Sequence, residues 1–250
     1  MNELSFFITT SVTNEIHNFC LNACIAHIRA NYKEEEIIII SDNSTPDLMK
    51  IDKQYLNLRI IESEFKGAGE SLFPYYYHKL KPSRKAIYIH DSMFLLEPID
   101  LTFIKNFKTM KFFLSFPHKF RMREQDDFIR KLRNGNEIIA HTNTNNWVGC
   151  FGGACIIALD YLNYLQEKYD ITCLVNYINC RVNREVYERI LGAILSYEEQ
   201  TKDNLSLLGD MYDYFGRYPT NDFHNIYVYV NHFNIIKEQK IPLLKLNFGR

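Results

Sequence analysis

Residues 86–98 read Ala-Ile-Tyr-Ile-His-Asp-Ser-Met-Phe-Leu-Leu-Glu-Pro, and the rest of the chain is organised around this stretch. The β-branched and aromatic run at 87–89 predicts a short buried strand. The run stops at His90-Asp91-Ser92, and a buried carboxylate needs a cation or a metal as its partner. We therefore expect Asp91 at the mouth of a sheet, where α/β enzymes bind ligands. Taken alone, the stretch favours an Asp that caps a turn.

Two earlier stretches predict neighbouring strands. Residues 4–10 are the first, and the four isoleucines of 37–40 are typical of a parallel strand that is buried on both faces. Apolar residues at helical spacing between them complete a βαβ unit. The polar turn 41–47 follows directly, and Asp42 in it can accept hydrogen bonds from a ribose or a base. An Asx turn held by Pro46 explains Asp42 about equally well.

The loop 66–71, Lys-Gly-Ala-Gly-Glu-Ser, has two glycines but lacks the dinucleotide and P-loop fingerprints. Lys66 can pair with a phosphate there, although a solvated loop lysine is the more common case. Further along, 110–116 and 148–159 predict strands, and 226–230 alternates as another. Residues 183–197 predict a helix on which Glu185 and Glu188 share a face. An ion pair within the helix, with Arg184 one turn before Glu188, explains either glutamate better when it is taken singly.

Composition excludes several classes of protein. The chain of 250 residues has 29 Lys+Arg against 30 Asp+Glu, so no basic excess indicates nucleic-acid binding. None of the six cysteines forms a C-x-x-C pair, which argues against structural zinc. No apolar run approaches the length of a membrane span, and the N-terminus lacks the basic region of a secretory signal. We expect a cytoplasmic protein with reduced thiols.

The order of these features resembles the GT-A fold of nucleotide-sugar glycosyltransferases, especially the large inverting family of polysaccharide synthases. Thr13-Asn14-Glu15 after the first strand looks like that family's strand-to-helix opening. The stretch 37–47 is similar to its second strand and aspartate turn. The run 66–92 is similar to the stretch that leads to its metal-binding Asp-x-Asp. The ending Lys-x-x-x-Gly-Arg at 245–250 resembles that of viral and algal members.

The resemblance implies an α/β fold, a single Rossmann-like GT-A domain over residues 1–250 with a mixed, mostly parallel sheet flanked by helices. Residues 1–98 would bind the nucleotide-sugar and residues 99–250 the acceptor. It also implies an enzyme of the hexosyltransferase class, which moves a sugar from a UDP-linked donor to a hydroxyl group of a glycan or another acceptor, with inversion.

The resemblance also implies roles for individual residues. Asp42 would contact the base or ribose, and Asp91 would help to hold Mn²⁺ or Mg²⁺, which neutralises the leaving diphosphate. The Asp-x-Asp is reduced here to His-Asp-Ser, so Asp91 would hold the ion alone or with His90, His224 or His232, and metal independence stays open. The remaining residues expected at the donor site are Thr10, Ser11, Lys66 and His90.

An inverting transfer needs a general base that deprotonates the acceptor hydroxyl. Our candidates are Glu188 and Glu185, with Glu188 preferred. The family's usual Glu-Asp base motif is absent, so the stereochemistry stays open, since a retaining enzyme would need no such base.

Three other functions compete with this hypothesis. A catalytically inert sugar- or protein-binding domain on the same scaffold is the main alternative, because fold does not determine function. A nucleotidyltransferase is disfavoured because residues 9–14 contain neither glycine nor a basic residue. A dinucleotide oxidoreductase is disfavoured because no Gly-x-Gly-x-x-Gly follows the first strand.

Overall fold

The computed structural model of the protein describes residues 1–101, 108–115, 122, 124–144, 146–199, 206–216 and 242–246. The strands in these ranges are, in chain order, β1 (Asn2–Thr10), β2 (Glu36–Ser41), β3 (Leu58–Glu62), β4 (Ser83–His90), β5 (Met93–Leu95), β6 (Thr109–Lys111), β7 (Leu114–Ser115), β8 (Gly149–Cys150), β9 (Cys155–Ala158) and β10 (Leu243–Lys245). The helices are α1 (Glu15–Asn31), α2 (Leu72–Leu80), α3 (Gln125–Ile129), α4 (Gly135–Thr142), α5 (Leu159–Tyr169), α6 (Arg181–Glu199) and α7 (Met211–Gly216).

Six strands form the central sheet in the order β3-β2-β1-β4-β9-β6. The four strands β1 to β4 run parallel, whereas β9 runs antiparallel to both of its neighbours. The predicted mixed, mostly parallel sheet flanked by helices is therefore confirmed. The chain builds β2 and β3 on one side of β1 and then crosses to place β4 on the other side. A parallel sheet offers a ligand crevice at such a reversal.

The side chains of β1 alternate between the two faces of the central sheet. Phe6 and Ile8 are buried in the cluster that includes α1, and Phe7 is buried in the opposite cluster with α2, α5 and α6. The helix α1 begins after Asn14, whose side chain accepts a hydrogen bond from the backbone N–H of His17 at 2.9 Å. Both faces of the parallel sheet are thus covered, which explains the continuous isoleucines of β2.

A small second sheet brings strand β10 next to the central sheet. Strand β10 pairs antiparallel with β5, with Lys245 opposite Met93. The backbone N–H of Leu246 donates to the carbonyl oxygen of Ser92 at 2.9 Å. Since Ser92 follows β4 almost directly, this pairing carries Lys245 to the carboxyl end of the central sheet.

The second half of the chain is less regular than the sequence predicts. The strand expected at 110–116 is two short strands, β6 and β7, because Phe112 and Phe113 between them turn into the core. The strand expected at 148–159 is broken at a 3₁₀ turn, Phe151–Gly153, where Gly152 has a φ of 63°. The strand expected at 226–230 lies outside the described residues. Within the described residues, no helix combines the length and apolar character that crossing a membrane requires.

Candidate functional site

A cavity of about 750 Å³ opens at the carboxyl ends of β1, β2 and β4. It therefore lies where the strand order reverses, as the strand-end rule for parallel sheets predicts. The first half of α6 and the start of α7 form the opposite wall, and Lys245 of β10 reaches it from the side. A volume of this size suits a small-molecule ligand.

The structure brings together most of the residues that the sequence indicates. Of the eight predicted site residues, those that line the cavity are Thr10, Ser11, Asp42, His90, Asp91, Glu185 and Glu188. Lys66 is exposed and lies outside the lining. Its predicted contact with a phosphate is thus not part of this cavity and stays a prediction. Residues from β1, β2, β4 and α6, far apart in sequence, share one solvent-accessible space.

Asp42 shapes the loop that faces it. Its Oδ1 accepts from the backbone N–H of Gly67 at 2.6 Å, and its Oδ2 accepts from that of Gly69 at 2.8 Å. Both glycines have positive φ values, 72° and 48°. Burial raises the pKa of Asp42, and the two backbone hydrogen bonds oppose this rise. Asp42 thus fixes the loop, and its predicted contact with a base or ribose stays a prediction.

Asp91 lies at the end of β4 and is only 3% exposed. Its Oδ2 accepts a hydrogen bond from the hydroxyl group of Thr10 at 2.6 Å, which links the ends of β4 and β1. Next to it, the ammonium of Lys245 donates to the hydroxyl oxygen of Ser92 at 2.7 Å. The position predicted for a metal therefore has a lysine ammonium beside it.

His90 bridges Lys245 and the turn at Gly152. Its Nε2 lies 2.7 Å from the carbonyl oxygen of Gly152, and its Nδ1 lies 3.3 Å from the Lys245 ammonium. A Cβ built on Gly152 would come within 2.8 Å of the imidazole Cε1. Glycine at 152 therefore permits both the left-handed turn and the close approach of the imidazole.

Two buried glutamates, Glu70 and Glu188, line the cavity. Burial and the neighbouring charge of Glu70 raise the pKa of Glu188 to about 8, against a hydrogen bond from the backbone N–H of Gly152. Burial also raises the pKa of Glu70, and the positive charge of Arg184 opposes this rise. Two carboxyl groups that repel each other in a buried site hold a proton at neutral pH. Such a pair can accept or release a proton in catalysis.

The helix α6 presents its charged residues at different depths. Glu185 is near the rim, with a side chain 42% exposed, and its Oε1 lies 3.2 Å from the Nε of Arg181. Arg184 points towards Glu70, with its Nε 3.9 Å from Oε2. An intrahelical ion pair is thus present at Glu185, and the guanidinium of Arg184 lies near Glu70. Of the two candidate bases, Glu188 is the buried one, which favours it on geometry.

Asp91 shares its surroundings with a hydroxyl donor and a lysine ammonium. Mn²⁺ and Mg²⁺ prefer oxygen ligands, and at phosphate-binding sites Mg²⁺ is usually held by one or two carboxylates together with substrate phosphates and waters. Within the described residues, no group of three or more His, Cys, Asp or Glu side chains is arranged to hold a metal ion. Asp91 accepts the Thr10 hydroxyl, and the Lys245 ammonium stands close by. His224 and His232, named as further ligands, lie outside the described residues, and the predicted metal stays a prediction.

Sequence reasoning missed Glu70 and Lys245. Glu70 follows two glycines in a loop, and no local pattern distinguishes it from a solvated acid. Lys245 reaches the site through the pairing of β10 with β5, and its hydrogen bond to Ser92 joins residues 153 positions apart in the sequence. One signal for Lys245 is its place between apolar neighbours in a short strand, where an inward-pointing lysine needs a partner.

No protein-family model matches the chain, and no curated protein matches it. Among solved structures, one match is the crystal structure of TarS from S. aureus, a glycosyltransferase, with a TM-score of 0.35 and 16% sequence identity. The match covers 44% of this chain and 21% of the TarS chain. What the site does must therefore follow from its own residues.

Proposed function

We propose that the protein is a glycosyltransferase that moves a sugar from a nucleotide-sugar, UDP-linked in our hypothesis, to a hydroxyl group of a glycan or other acceptor. One observation carries this proposal. The cavity at the reversal of the sheet is lined both by the strand-end residues Thr10 and Asp91 and by the buried carboxyl group of Glu188. A ligand in the cavity would contact the polar side chains at the strand ends and, at the same time, the carboxyl group of Glu188.

The strand-end side suits the donor. Thr10, Ser11 and the loop that Asp42 holds provide hydroxyl and backbone groups at the edge of a parallel sheet, the usual place for a nucleotide. In this arrangement the sugar would extend from the strand ends towards α6. Residues 1–98 would then form the donor half and residues 99–250 the acceptor half of a single domain.

The α6 side suits the acceptor. In the proposed inverting step, the acceptor oxygen bonds to the anomeric carbon while the bond from that carbon to the diphosphate breaks. The acceptor proton passes to the Glu188 carboxylate, and the leaving diphosphate keeps the electron pair. Because the pKa of Glu188 is about 8, its carboxylate form, and with it the rate, should increase as the pH rises towards 8.

The test measures release of nucleoside diphosphate from a panel of nucleotide-sugars between pH 6 and pH 9, with candidate glycan acceptors. We expect turnover with one donor class, increasing about tenfold per pH unit below the pKa of Glu188. Turnover that does not change with pH would remove Glu188 as the base. Binding of nucleotide-sugars without any turnover would favour the alternative, a non-catalytic binding domain.

The cellular location is also a proposal. All six cysteines are free thiols in the structure, four of them buried. Free thiols are the ordinary state of cysteine in a reducing compartment. A cytoplasmic location agrees with this state and stays a prediction.

A further inference from the structure

Lys245 is a buried cation that is nevertheless part of the cavity lining. It is 6% exposed, and the pairing of β10 with β5 holds its backbone opposite Met93. Its ammonium donates to the Ser92 hydroxyl oxygen at 2.7 Å. Moving an ammonium out of water is costly unless the protein or a ligand compensates its charge. The position of Lys245 on a cavity wall makes an anionic ligand one source of that compensation.

His90 lies between the Gly152 carbonyl oxygen and the Lys245 ammonium, and its Nε2 is also 3.8 Å from the Oε1 of Glu70. The Gly152 carbonyl oxygen only accepts hydrogen bonds, so the Nε2 of His90, 2.7 Å away, carries the proton. The lone pair of Nδ1 then faces the Lys245 ammonium at 3.3 Å. Within this contact the Lys245 ammonium is the donor and the Nδ1 of His90 is the acceptor.

The local charge differs from that of a metal site. Asp91 and Lys245 both act on the Cys24 thiol, since Asp91 raises the pKa of that thiol and Lys245 lowers it. A carboxylate and an ammonium therefore lie near the same buried group and offset each other. Lys, Arg and Mg²⁺ all stabilise negative charge on phosphoryl groups. Here the cation is already a part of the chain.

We propose that the ammonium of Lys245 binds the diphosphate of the nucleotide-sugar in place of a divalent cation, so that donor binding is independent of metal; this rests on the proposed function. When the bond to the sugar breaks, negative charge develops on the leaving diphosphate. A fixed ammonium at that point stabilises the charge as a metal would. The Ser92 hydroxyl group, which accepts from Lys245, holds the ammonium in place.

The test is calorimetric titration of the full chain with UDP and UMP, in excess chelator and in Mn²⁺, with the GDP, ADP and CDP pairs measured in the same way. The variants are Lys245→Met and Lys245→Arg. Lys111→Met is the matched control, because Lys111 is also a buried lysine that donates to a serine hydroxyl, Ser196, but lies outside the cavity lining.

We expect the native chain to bind the diphosphate equally well in chelator and in Mn²⁺, and more tightly than the monophosphate. Lys245→Met should weaken diphosphate binding about 10- to 100-fold, as loss of a charge-assisted hydrogen bond does, and should hardly affect the monophosphate. Lys245→Arg should restore part of the affinity, and Lys111→Met should change nothing.

Binding that requires Mn²⁺, or that is unchanged in Lys245→Met, would overturn this inference and leave the proposed function intact. A native chain that binds no nucleoside diphosphate under any condition would overturn both. If Lys245→Met fails to fold, the comparison of diphosphate with monophosphate on the native chain in chelator, together with Lys245→Arg, decides the question.

Discussion

Two regions of the molecule contain a similar set of buried polar groups in different surroundings. In the cavity, Lys245 donates to Ser92, and Glu188 has a pKa raised to about 8. At the edge of the central sheet, Lys111 of β6 donates to Ser196 at 3.3 Å. Burial raises the pKa of Glu199 to about 7, and the negative charge of Glu199 favours the charged form of Lys111. We call these the cavity cluster and the edge cluster.

The two clusters differ in whether a ligand can reach them. Both lysines are almost fully buried, yet Lys245 and Glu188 line a space of about 750 Å³, whereas Lys111 and Glu199 do not. Around Lys111 lie the buried thiols of Cys150 and Cys155. A perturbed pKa in a packed interior reflects burial alone, whereas the same shift beside a ligand-sized space marks a candidate site. The two clusters therefore make a controlled comparison within one chain.

The largest expected effect is on turnover, when the glutamate of the cavity cluster is replaced and the glutamate of the edge cluster serves as the control. Glu188→Gln keeps the size of the side chain and removes proton acceptance, so turnover should fall about 100- to 10,000-fold. Glu199→Gln makes the same change in the edge cluster and should leave turnover within about twofold of the native value. The measurement is the rate of nucleoside diphosphate release at pH 8.5.

Diphosphate binding separates loss of catalysis from loss of folding in these two variants. Glu188→Gln should bind the nucleoside diphosphate as the native chain does, because its amide replaces a carboxyl group that is mostly protonated at neutral pH. Equal losses of turnover in Glu188→Gln and Glu199→Gln would remove the distinction between the clusters. The raised pKa of Glu188 would then be a property of burial only.

The sequence predicted residues at the strand-end side of the cavity because that side follows one local rule. Polar residues directly after buried parallel strands share one edge of the sheet, so Asp42 and Asp91 were predicted from strand patterns, whereas Thr10 was expected from the family resemblance. The parallel pairing of β1 with β2 followed from the βαβ pattern, whereas the strand order was not predicted. These features depend on sequence neighbours and on the direction of the chain.

The remaining parts of the site depend on packing between distant segments. Whether Glu188 is buried or exposed depends on what lies opposite α6, and the loop residue Glu70 supplies its charged neighbour. Lys245 depends on the antiparallel pairing of β10 with β5. The role of Asp42 in holding two backbone N–H groups depends on how the glycine loop folds back. Composition and periodicity do not contain this information.

A second prediction compares glycines of the two regions. Gly152, in the cavity, and Gly209, in the segment beside β7, have φ values of 63° and 80°. Alanine at either position should cost about 1 kcal/mol or more in backbone strain. At 209 no atom of the described residues lies within 4 Å of the added Cβ, whereas at 152 the Cβ would collide with His90.

Gly152→Ala should therefore lower the free energy of unfolding by about 1–2 kcal/mol more than Gly209→Ala, measured by urea denaturation. It should also weaken diphosphate binding, because His90 contacts the Lys245 ammonium. Equal losses of stability, with binding unchanged in both variants, would mean that the imidazole moves aside without consequence and that its position does not matter for the cavity.

The smallest expected effect concerns the lysine of the edge cluster and the stability of the fold. Burial lowers the pKa of Lys111 below its ordinary value of 10.5, so the folded state releases this proton more easily than the unfolded state. Between the lowered pKa and 10.5 the unfolded chain binds more protons, and stability due to this group rises with pH. Below that range the full cost of the charge is present.

Lys111→Met removes this cost and keeps a long apolar side chain in the same space. The variant should match the native chain or exceed it by up to about 1 kcal/mol at pH 7, and the gain should shrink as the pH approaches 10.5. Urea denaturation at pH 7 and at pH 10 measures both quantities. If Lys111→Met instead lowers the free energy of unfolding by several kcal/mol at pH 7, the Lys111 ammonium stabilises the fold through Ser196 and Glu199. The charged groups of the edge cluster would then stabilise the folded state and not destabilise it.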